Sequence, residues 1–358
     1  MPAPVNLQEL EALARERLPQ MVYDYYAGGA NDELTIDDNR RAWEAIRLRP
    51  RVLVDVSNVD PSTTILGRHV AMPLLTAPCG FNGLAHPEGE RAVARAAAGA
   101  GVIQVVSTVA TTSLEDVAAA VAGPRWFQLY CYRDREVTRS LVQRAEAAGY
   151  EALCVTVDVP YLGRREREVR DGFRLPPGVT LTNLEPYAVA EMAVAERDSA
   201  LRKYVNALWD PGLNWTAIEW LRSITTLPLV LKGILAGDDA RLAADHGAAG
   251  LIVSNHGGRQ LDGSVSTVYA LRDVVEAAGD RLEVLVDGGI RRGSHVVAAL
   301  AMGARAVLIG RPYLWGLAVN GEDGVRRVLD DFRNEIVLAM ALCGRATVAD
   351  IDRSLIAG

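Results

Sequence analysis

The chain has 358 residues, 49% hydrophobic and 23% charged, with a formal net charge of −7. This exceeds the ~100–200 residues of most single domains, leaving two domains or one α/β barrel of about 250 residues with additions. The acidic balance argues against a nucleic-acid partner, and no apolar run approaches the ~18–20 residues needed to span a bilayer.

In chain order, the first residues are polar and acidic early, with no evident signal or transit peptide. The last, Ser354-Leu-Ile-Ala-Gly358, are not a peroxisomal address. A cytoplasmic protein that neither spans nor anchors in a membrane is expected. Residues 1–71 carry helical patterns around Leu7–Leu18 and Leu34–Ala45. From residue 72 short apolar runs follow one another: Leu74–Ala77, Val102–Ser107, Trp126–Tyr130, Ala152–Asp158, Pro228–Lys232, Gly250–Ser254, Glu283–Asp287 and Ala306–Gly310. They are rich in Val, Ile and Leu and apolar on both faces, as in strands of a buried parallel sheet.

Amphipathic stretches with start signals separate these runs. Pro87-Glu88 and Gly237-Asp238-Asp239 open two of them. Ser113 with Asp116 resembles a capping box, and Ser294 is placed to cap another. Gly247, Gly279 and Gly303 are placed to close their helices. Eight strands in βα alternation predict a closed (β/α)8 TIM barrel, with an open doubly wound sheet as the alternative. The expected organisation is a single unit over 1–358: an N-terminal helical segment (1–71), a barrel (72–345) and a lid-like insertion (159–227) after strand 4. The insertion holds the charge run Arg164-Arg-Glu-Arg-Glu168, Pro176-Pro177-Gly178 and an Ala/Glu-rich stretch.

Several chemistries are excluded by absence. The cysteines (79, 131, 154, 343) have no CxxC spacing and are expected as buried thiols in a reducing compartment. The five histidines form no HExxH or HxxxH pair, so no metal site is predicted. There is no GxGxxG. Only Lys203 and Lys232 are lysines among 38 basic residues, and neither follows a glycine, so there is no Walker A loop.

Barrel active sites lie at the C-terminal ends of the strands, and here every apolar run ends in polar or ionisable groups. These are Pro78-Cys79-Gly80, Ser107-Thr108, Gln128 with Tyr130, Thr156 with Asp158, Lys232, Ser254-Asn255-His256, Asp287-Gly-Gly289 with Arg291, and Gly310-Arg311. Glycines with arginines after strands 7 and 8 suit a phosphate. His256 with a carboxylate such as Asp158 suits proton abstraction. Lys232 could hold a negative charge on a cofactor ring or form a Schiff base, as in barrel aldolases. Lys203 is expected to be solvated.

The motifs LPQMVYDYYAGGA (18–30), HPEGE (86–90), WFQLY (126–130), TVDVP (156–160), LGRRE (162–166), LKG (231–233), SNHGGRQLDG (254–263), DGGIRRG (287–293) and IGRP (309–312) carry a resemblance over nearly the whole chain. It resembles the FMN-dependent (S)-2-hydroxy-acid oxidases and dehydrogenases, such as glycolate oxidase, lactate oxidase and mandelate dehydrogenase. The resemblance implies FMN across the barrel mouth. Pro78, Cys79 and Gly80 would make main-chain contacts, and Ser107, Gln128, Thr156 and Ser254 would hydrogen-bond the flavin and ribityl chain. Lys232 would stand near flavin N1 and O2. Asp287, Gly289, Arg291, Gly310 and Arg311 would hold the ribityl–phosphate end. Arg165, Arg259 and Tyr25 would bind the substrate carboxylate, and Tyr130 the substrate oxygen. His256 would take the hydroxyl proton, supported by Asp158, as a hydride passes from Cα to flavin N5; a carbanion route uses the same residues. A homotetramer is implied as well.

Two departures from the pattern bear on specificity. Val109 stands where glycolate oxidases carry tryptophan, which widens the pocket and favours larger aliphatic or aromatic acids, helped by Phe81 and Leu162. Gly80 stands where oxidases of the family usually carry alanine and mandelate dehydrogenases glycine. O2 is the expected acceptor, a quinone-linked dehydrogenase the alternative, and a Schiff-base aldolase using Lys232 the alternative of another class.

Overall fold

The structure, a computed structural model, describes residues 4–187 and 199–357. Each of the eight apolar runs overlaps a strand: β1 (Leu74–Thr76), β2 (Ile103–Ser107), β3 (Arg125–Leu129), β4 (Leu153–Thr156), β5 (Leu229–Ile234), β6 (Gly250–Val253), β7 (Glu283–Val286) and β8 (Ala306–Ile309). All neighbouring pairs are parallel, and β8 closes onto β1 through Val307–Leu74, Leu308–Leu75 and Ile309–Thr76. The barrel is closed, as the βα alternation predicts, and the open sheet is excluded.

Alternation divides each strand between two cores. Leu75, Ile103, Val105, Trp126, Cys154, Val230, Ile252, Leu285, Ala306 and Leu308 share one buried cluster inside the barrel. Leu74, Val106, Phe127, Leu153, Val155, Leu229, Leu231, Leu251, Val253, Val284, Val286, Val307 and Ile309 belong to a second cluster, with the surrounding helices. The inner cluster also takes Ile65 and Val70 from an antiparallel hairpin, Thr63–Ile65 with Arg68–Val70, which stoppers the N-terminal end of the barrel. Its two three-residue strands were not among the predicted elements, because three residues are too few to show a period.

The N-terminal segment forms three helices, α1 (Leu7–Arg17), α2 (Gln20–Ala27) and α3 (Leu34–Ala45). The Asn6 side chain caps α1 by accepting the Glu9 N–H at 2.8 Å. Helix α2 lacks a side-chain cap and is rich in tyrosine, so nothing local marks it. Tyr23 and Tyr26 dock it against Trp315, with ring centroids 5.5 and 6.4 Å apart.

Three local expectations need correction. Ser113 accepts the Asp116 N–H at 3.1 Å, but the Asp116 carboxylate turns to Arg91, so only half a capping box forms. Ser294 lies inside the helix Gly293–Ala301, whose first N–H is capped instead by the Glu335 carboxylate at 2.7 Å. The stretch 159–227 is not all insertion. Trp215–Ile224 is a barrel helix between β4 and β5, with Ala217, Ile218 and Leu221 buried in the outer core. Ahead of it lie the helices Glu166–Asp171 and Ala200–Leu208 and a 3-10 turn, Thr182–Tyr187. Most of the Ala/Glu-rich stretch lies outside the described residues. Lys203 is exposed, as expected. Cys131, Cys154 and Cys343 are buried free thiols, while Cys79 is only half-buried.

Candidate active site

The alternation that fills the barrel also builds its mouth. The residue two positions after an inward apolar side chain points inward again, and at the C-terminal end it is polar. Val230 is followed by Lys232, Ile252 by Ser254, Leu285 by Asp287, Trp126 by Gln128 and then Tyr130, and Cys154 by Thr156 and then Asp158. The mouth opens into a cleft enclosing about 980 Å³, counting its open solvent side.

At its centre His256 Nδ1 lies 2.9 Å from Asp158 Oδ1. His256 adopts a left-handed backbone (φ +57°) and its N–H donates to Ser254 Oγ at 3.1 Å, which holds the ring over the mouth. Burial, helped by the positive charges of Lys232 and Arg165, pushes the imidazole below its ordinary pKa against the opposing pull of Asp158. The resting ring is therefore neutral at pH 7. Burial alone would raise the Asp158 pKa, but His256, by charge and hydrogen bond, and the nearby charge of Lys232 outweigh it and push the pKa below the ordinary carboxylate value. Gly233 makes this approach possible. It sits at a register shift in β5 with φ +116°, and a methyl there would stand 2.6 Å from Asp158 Cβ.

Lys232 is buried beneath the cleft. Its Nζ lies 3.2 Å from Asp287 Oδ2 and donates to Ser254 Oγ at 3.0 Å. Burial would lower its pKa, but Asp287 and Asp158 together hold it above the ordinary lysine value. It is a fixed cation and not a nucleophile, because imine formation requires a neutral amine.

Arg165 and Arg259 come together although 94 positions apart. Arg165 Nε donates to the Arg259 carbonyl at 3.2 Å. The Arg259 guanidinium lies 4.9 Å from the centre of the Tyr25 ring and donates to the Tyr25 and Gly28 carbonyls at 2.5 and 2.9 Å. Burial and repulsion from Arg165 push the Arg259 pKa down. One carboxylate joins the two: Glu168 Oε1 is 3.1 Å from Arg165 Nη1 and 3.3 Å from Arg259 Nη2. Glu168 was not singled out from the sequence. Its only signal was the i,i+3 spacing from Arg165 within a charge run.

Arg311 lies beside Arg259 and shares the Gly28 carbonyl with it: it donates to the carbonyls of Tyr26, Gly257 and Gly28 at 2.9, 3.0 and 2.9 Å. Arg291 donates to the Ile290 carbonyl at 2.9 Å. Neither forms an ion pair among the described residues, and burial pushes both pKa values down. Gly288 and Gly289 have φ +87° and +84° and sit against Asn39, where a methyl on Gly289 would come within 2.5 Å of its carbonyl. His295 Nδ1 accepts the Arg291 N–H at 3.3 Å and stacks on Trp43, whose Nε1 donates to the Gly288 carbonyl at 2.7 Å. Sequence reasoning missed His295 and Trp43, whose role depends on a contact 252 positions apart.

The cleft wall includes Tyr25, Pro78, Cys79, Gly80, Val109, Tyr130, Arg165, Lys232, His256, Arg259, Asp287, Gly289, Arg291, Gly310 and Arg311. Ser107, Gln128, Thr156 and Ser254 lie beneath that wall. Gln128 Oε1 accepts from Ser107 Oγ at 3.1 Å and its Nε2 donates to Thr156 Oγ1 at 3.0 Å. Leu162 lines the cleft, but Phe81 does not. Phe81 is fully buried behind Tyr25, its left-handed backbone (φ +57°) turning the ring into the core while its carbonyl accepts from Tyr26 Oη at 2.6 Å. Leu201 and Trp209 complete the apolar end and were not foreseen. Trp209 stacks on Tyr130 at 3.6 Å between centroids, brought there by backbone pairing of 208–210 with 131–133.

The FMN-dependent dehydrogenase family matches residues 14–358. The chain belongs to this family. It is 51% identical to an L-lactate oxidase of Nostoc sp. over 99% of this chain and 98% of that one. It is likewise 51% identical to a glycolate oxidase of Spinacia oleracea, over 98% and 95% of the two chains. The structure of a mandelate oxidase with (S)-4-hydroxymandelic acid superposes with a TM-score of 0.94 at 45% identity, covering 99% of this chain and 98% of that chain.

The cofactor of the family is FMN, and the residues present fit it. Two half-buried arginines without carboxylate partners among the described residues match a phosphate dianion. Asp287 Oδ1 is a buried acceptor with no protein donor, suited to a ribityl hydroxyl. Lys232 provides a positive charge paired with Asp287 and felt by the His256–Asp158 pair.

Proposed function

We propose that this chain is an FMN-dependent (S)-2-hydroxy-acid oxidase, converting R–CHOH–COO⁻ and O2 to R–CO–COO⁻ and H2O2. The observation that carries this reading is the opening of His256, backed by Asp158 at 2.9 Å, onto the same cleft as Arg165 and Arg259. Arg165 and Arg259 hold the substrate carboxylate by charge-assisted hydrogen bonds, with Tyr25 beside them. That anchor turns the Cα hydroxyl toward His256. Because Nδ1 is engaged by Asp158, Nε2 is the nitrogen that takes the hydroxyl proton, and Asp158 stabilises the imidazolium that results. Burial keeps the Tyr130 phenol protonated well above neutral pH, so it serves as a donor to the substrate oxygen. Pro78, Cys79, Gly80, Ser107, Gln128, Thr156, Ser254 and Lys232 would surround the flavin, while Asp287, Gly289, Arg291, Gly310 and Arg311 hold its ribityl phosphate. When bound, FMN supplies the two-electron acceptor that O2 regenerates.

The substrate side chain faces Val109, Leu162, Leu201 and Trp209. This uncharged end supports medium aliphatic or aromatic acids in the lactate-to-mandelate range over glycolate. O2 as acceptor is supported by the oxidase names of all three relatives. The aldolase alternative is disfavoured by the ion pair of Lys232. A cytoplasmic homotetramer completes the proposal; among the described residues no helix is long and apolar enough to cross a membrane. Anaerobic mixing of the flavin-loaded enzyme with a panel of (S)-2-hydroxy acids should bleach the flavin, and readmitted O2 should yield peroxide. If no acid bleaches it, the proposal is wrong; if bleaching occurs without peroxide, the acceptor is wrong.

A further inference from the structure

Glu168 is 2% exposed and lies behind two arginines of the cleft wall, Arg165 and Arg259. Its Oε1 takes Arg165 and Arg259, and its Oε2 accepts from Ser199 Oγ at 3.3 Å. A carboxylate removed from water at this cost persists when opposite charges compensate it, and here two guanidiniums do so. The three groups sum to one positive charge: two cations and one anion. Without Glu168, two adjacent guanidiniums would present two positive charges to the incoming ligand and repel each other.

We propose that Glu168 is the internal counter-ion of the carboxylate-binding site, and that it makes the site selective for monocarboxylates. This rests on the reading of Arg165 and Arg259 as carboxylate ligands. Glu168 performs two separable tasks. By geometry, it is a positioning residue: the helix Glu166–Asp171 holds it so that one oxygen aligns a guanidinium from the insertion with one from the loop after β6. By charge, it leaves the pair able to balance one carboxylate and opposes a second. The uncharged wall of Val109, Leu162, Leu201 and Trp209 points the same way, since it offers nothing to a second carboxylate. The substrate class is thus a 2-hydroxy monocarboxylic acid with an uncharged side chain.

Pyruvate and oxalate test this directly. The two are close in shape, and oxalate carries one more negative charge where pyruvate has a methyl. Their dissociation constants are measured on flavin-loaded enzyme by perturbation of the flavin spectrum, alongside KM and kcat for a hydroxy acid that bleaches the wild type. In Glu168→Gln the preference for oxalate over pyruvate should rise about ten- to a hundredfold relative to wild type, because a nearby negative charge has been removed in a low-dielectric cleft. In Glu168→Asp the charge remains but the carboxylate retracts by one methylene. KM should rise about three- to tenfold with the oxalate-to-pyruvate ratio unchanged. An unchanged ratio in flavin-loaded Glu168→Gln overturns the proposal, and so does a ratio that shifts equally in Glu168→Asp. Should Glu168→Gln not retain flavin, Glu168→Asp decides alone: a raised KM with an unchanged oxalate-to-pyruvate ratio supports the proposal, and an unchanged KM or a shifted ratio overturns it. A wild type bleached by no hydroxy acid refutes the oxidase reading itself, whereas a bleachable wild type with unresponsive variants refutes only the role of Glu168.

Discussion

Gly80 is a position in the cleft wall with no room for added volume. A methyl there would stand 2.8 Å from Val109 Cγ2 and 3.1 Å from the Tyr25 hydroxyl. Carbon atoms in contact sit about 3.5–4.0 Å apart, so the overlap with Val109 is close to 1 Å. Such overpacking costs about 1–3 kcal/mol where neighbours cannot yield. Here Val109 is 6% exposed and Tyr25 is stacked on Phe173 at 4.4 Å, so neither has free space to move into. Gly80→Ala should lower kcat/KM for 2-hydroxy acids by about ten- to a hundredfold, since each 1.4 kcal/mol is a factor of ten. The loss should appear mainly in KM, because the displaced Tyr25 hydroxyl faces the carboxylate site. In the double variant Gly80→Ala/Val109→Ala the clash is removed, and kcat/KM should return to within about threefold of Val109→Ala alone. Peroxide-coupled steady-state kinetics measures all four proteins. If Gly80→Ala matches the wild type, or the double variant is no better than Gly80→Ala, the steric reasoning is refuted.

Three further outcomes are expected. Asp158→Asn should lower kcat by about 10²–10⁴-fold. Asp158 raises the His256 pKa against the larger lowering by burial. The wild-type acid limb of kcat/KM should therefore lie below the ordinary histidine value, and in Asp158→Asn it should move further to acid pH; a limb that moves toward neutrality contradicts the assignment. Arg311→Ala should weaken FMN about ten- to a hundredfold, as a charge-assisted contact is worth about 1.5–3 kcal/mol, while riboflavin, lacking the phosphate, should change by less than about threefold. Equal losses for both would place Arg311 elsewhere. Trp209→Ala removes an aromatic stack worth about 0.5–1.5 kcal/mol and should raise KM for aromatic 2-hydroxy acids about two- to tenfold. A larger effect on a small aliphatic acid than on an aromatic one would mean that Trp209 does not face the side-chain end.

The sequence alone determined the barrel and most of the side chains at its mouth, for a local reason. A strand buried on both faces must be apolar at every position, so Leu229–Leu231 or Gly250–Val253 announces itself without reference to the rest of the chain. The same alternation carries the inward direction past the strand end, and so marks Lys232, Ser254 and Asp287 as floor residues. What only the tertiary structure decided is which groups meet and which turn away. Arg165 and Arg259 are joined by Glu168, an acid indistinguishable in sequence from its exposed neighbours. Helix α2 has no capping side chain to mark it, yet its last carbonyls orient both Arg259 and Arg311. Phe81 follows the cofactor loop directly, but a positive φ sends it into the core. Trp209 arrives at Tyr130 by pairing of backbone at Tyr132 and Trp209, 77 positions apart. These are long-range pairings of charge, backbone and ring, whose energy depends on distance in space, and sequence order records none of those distances.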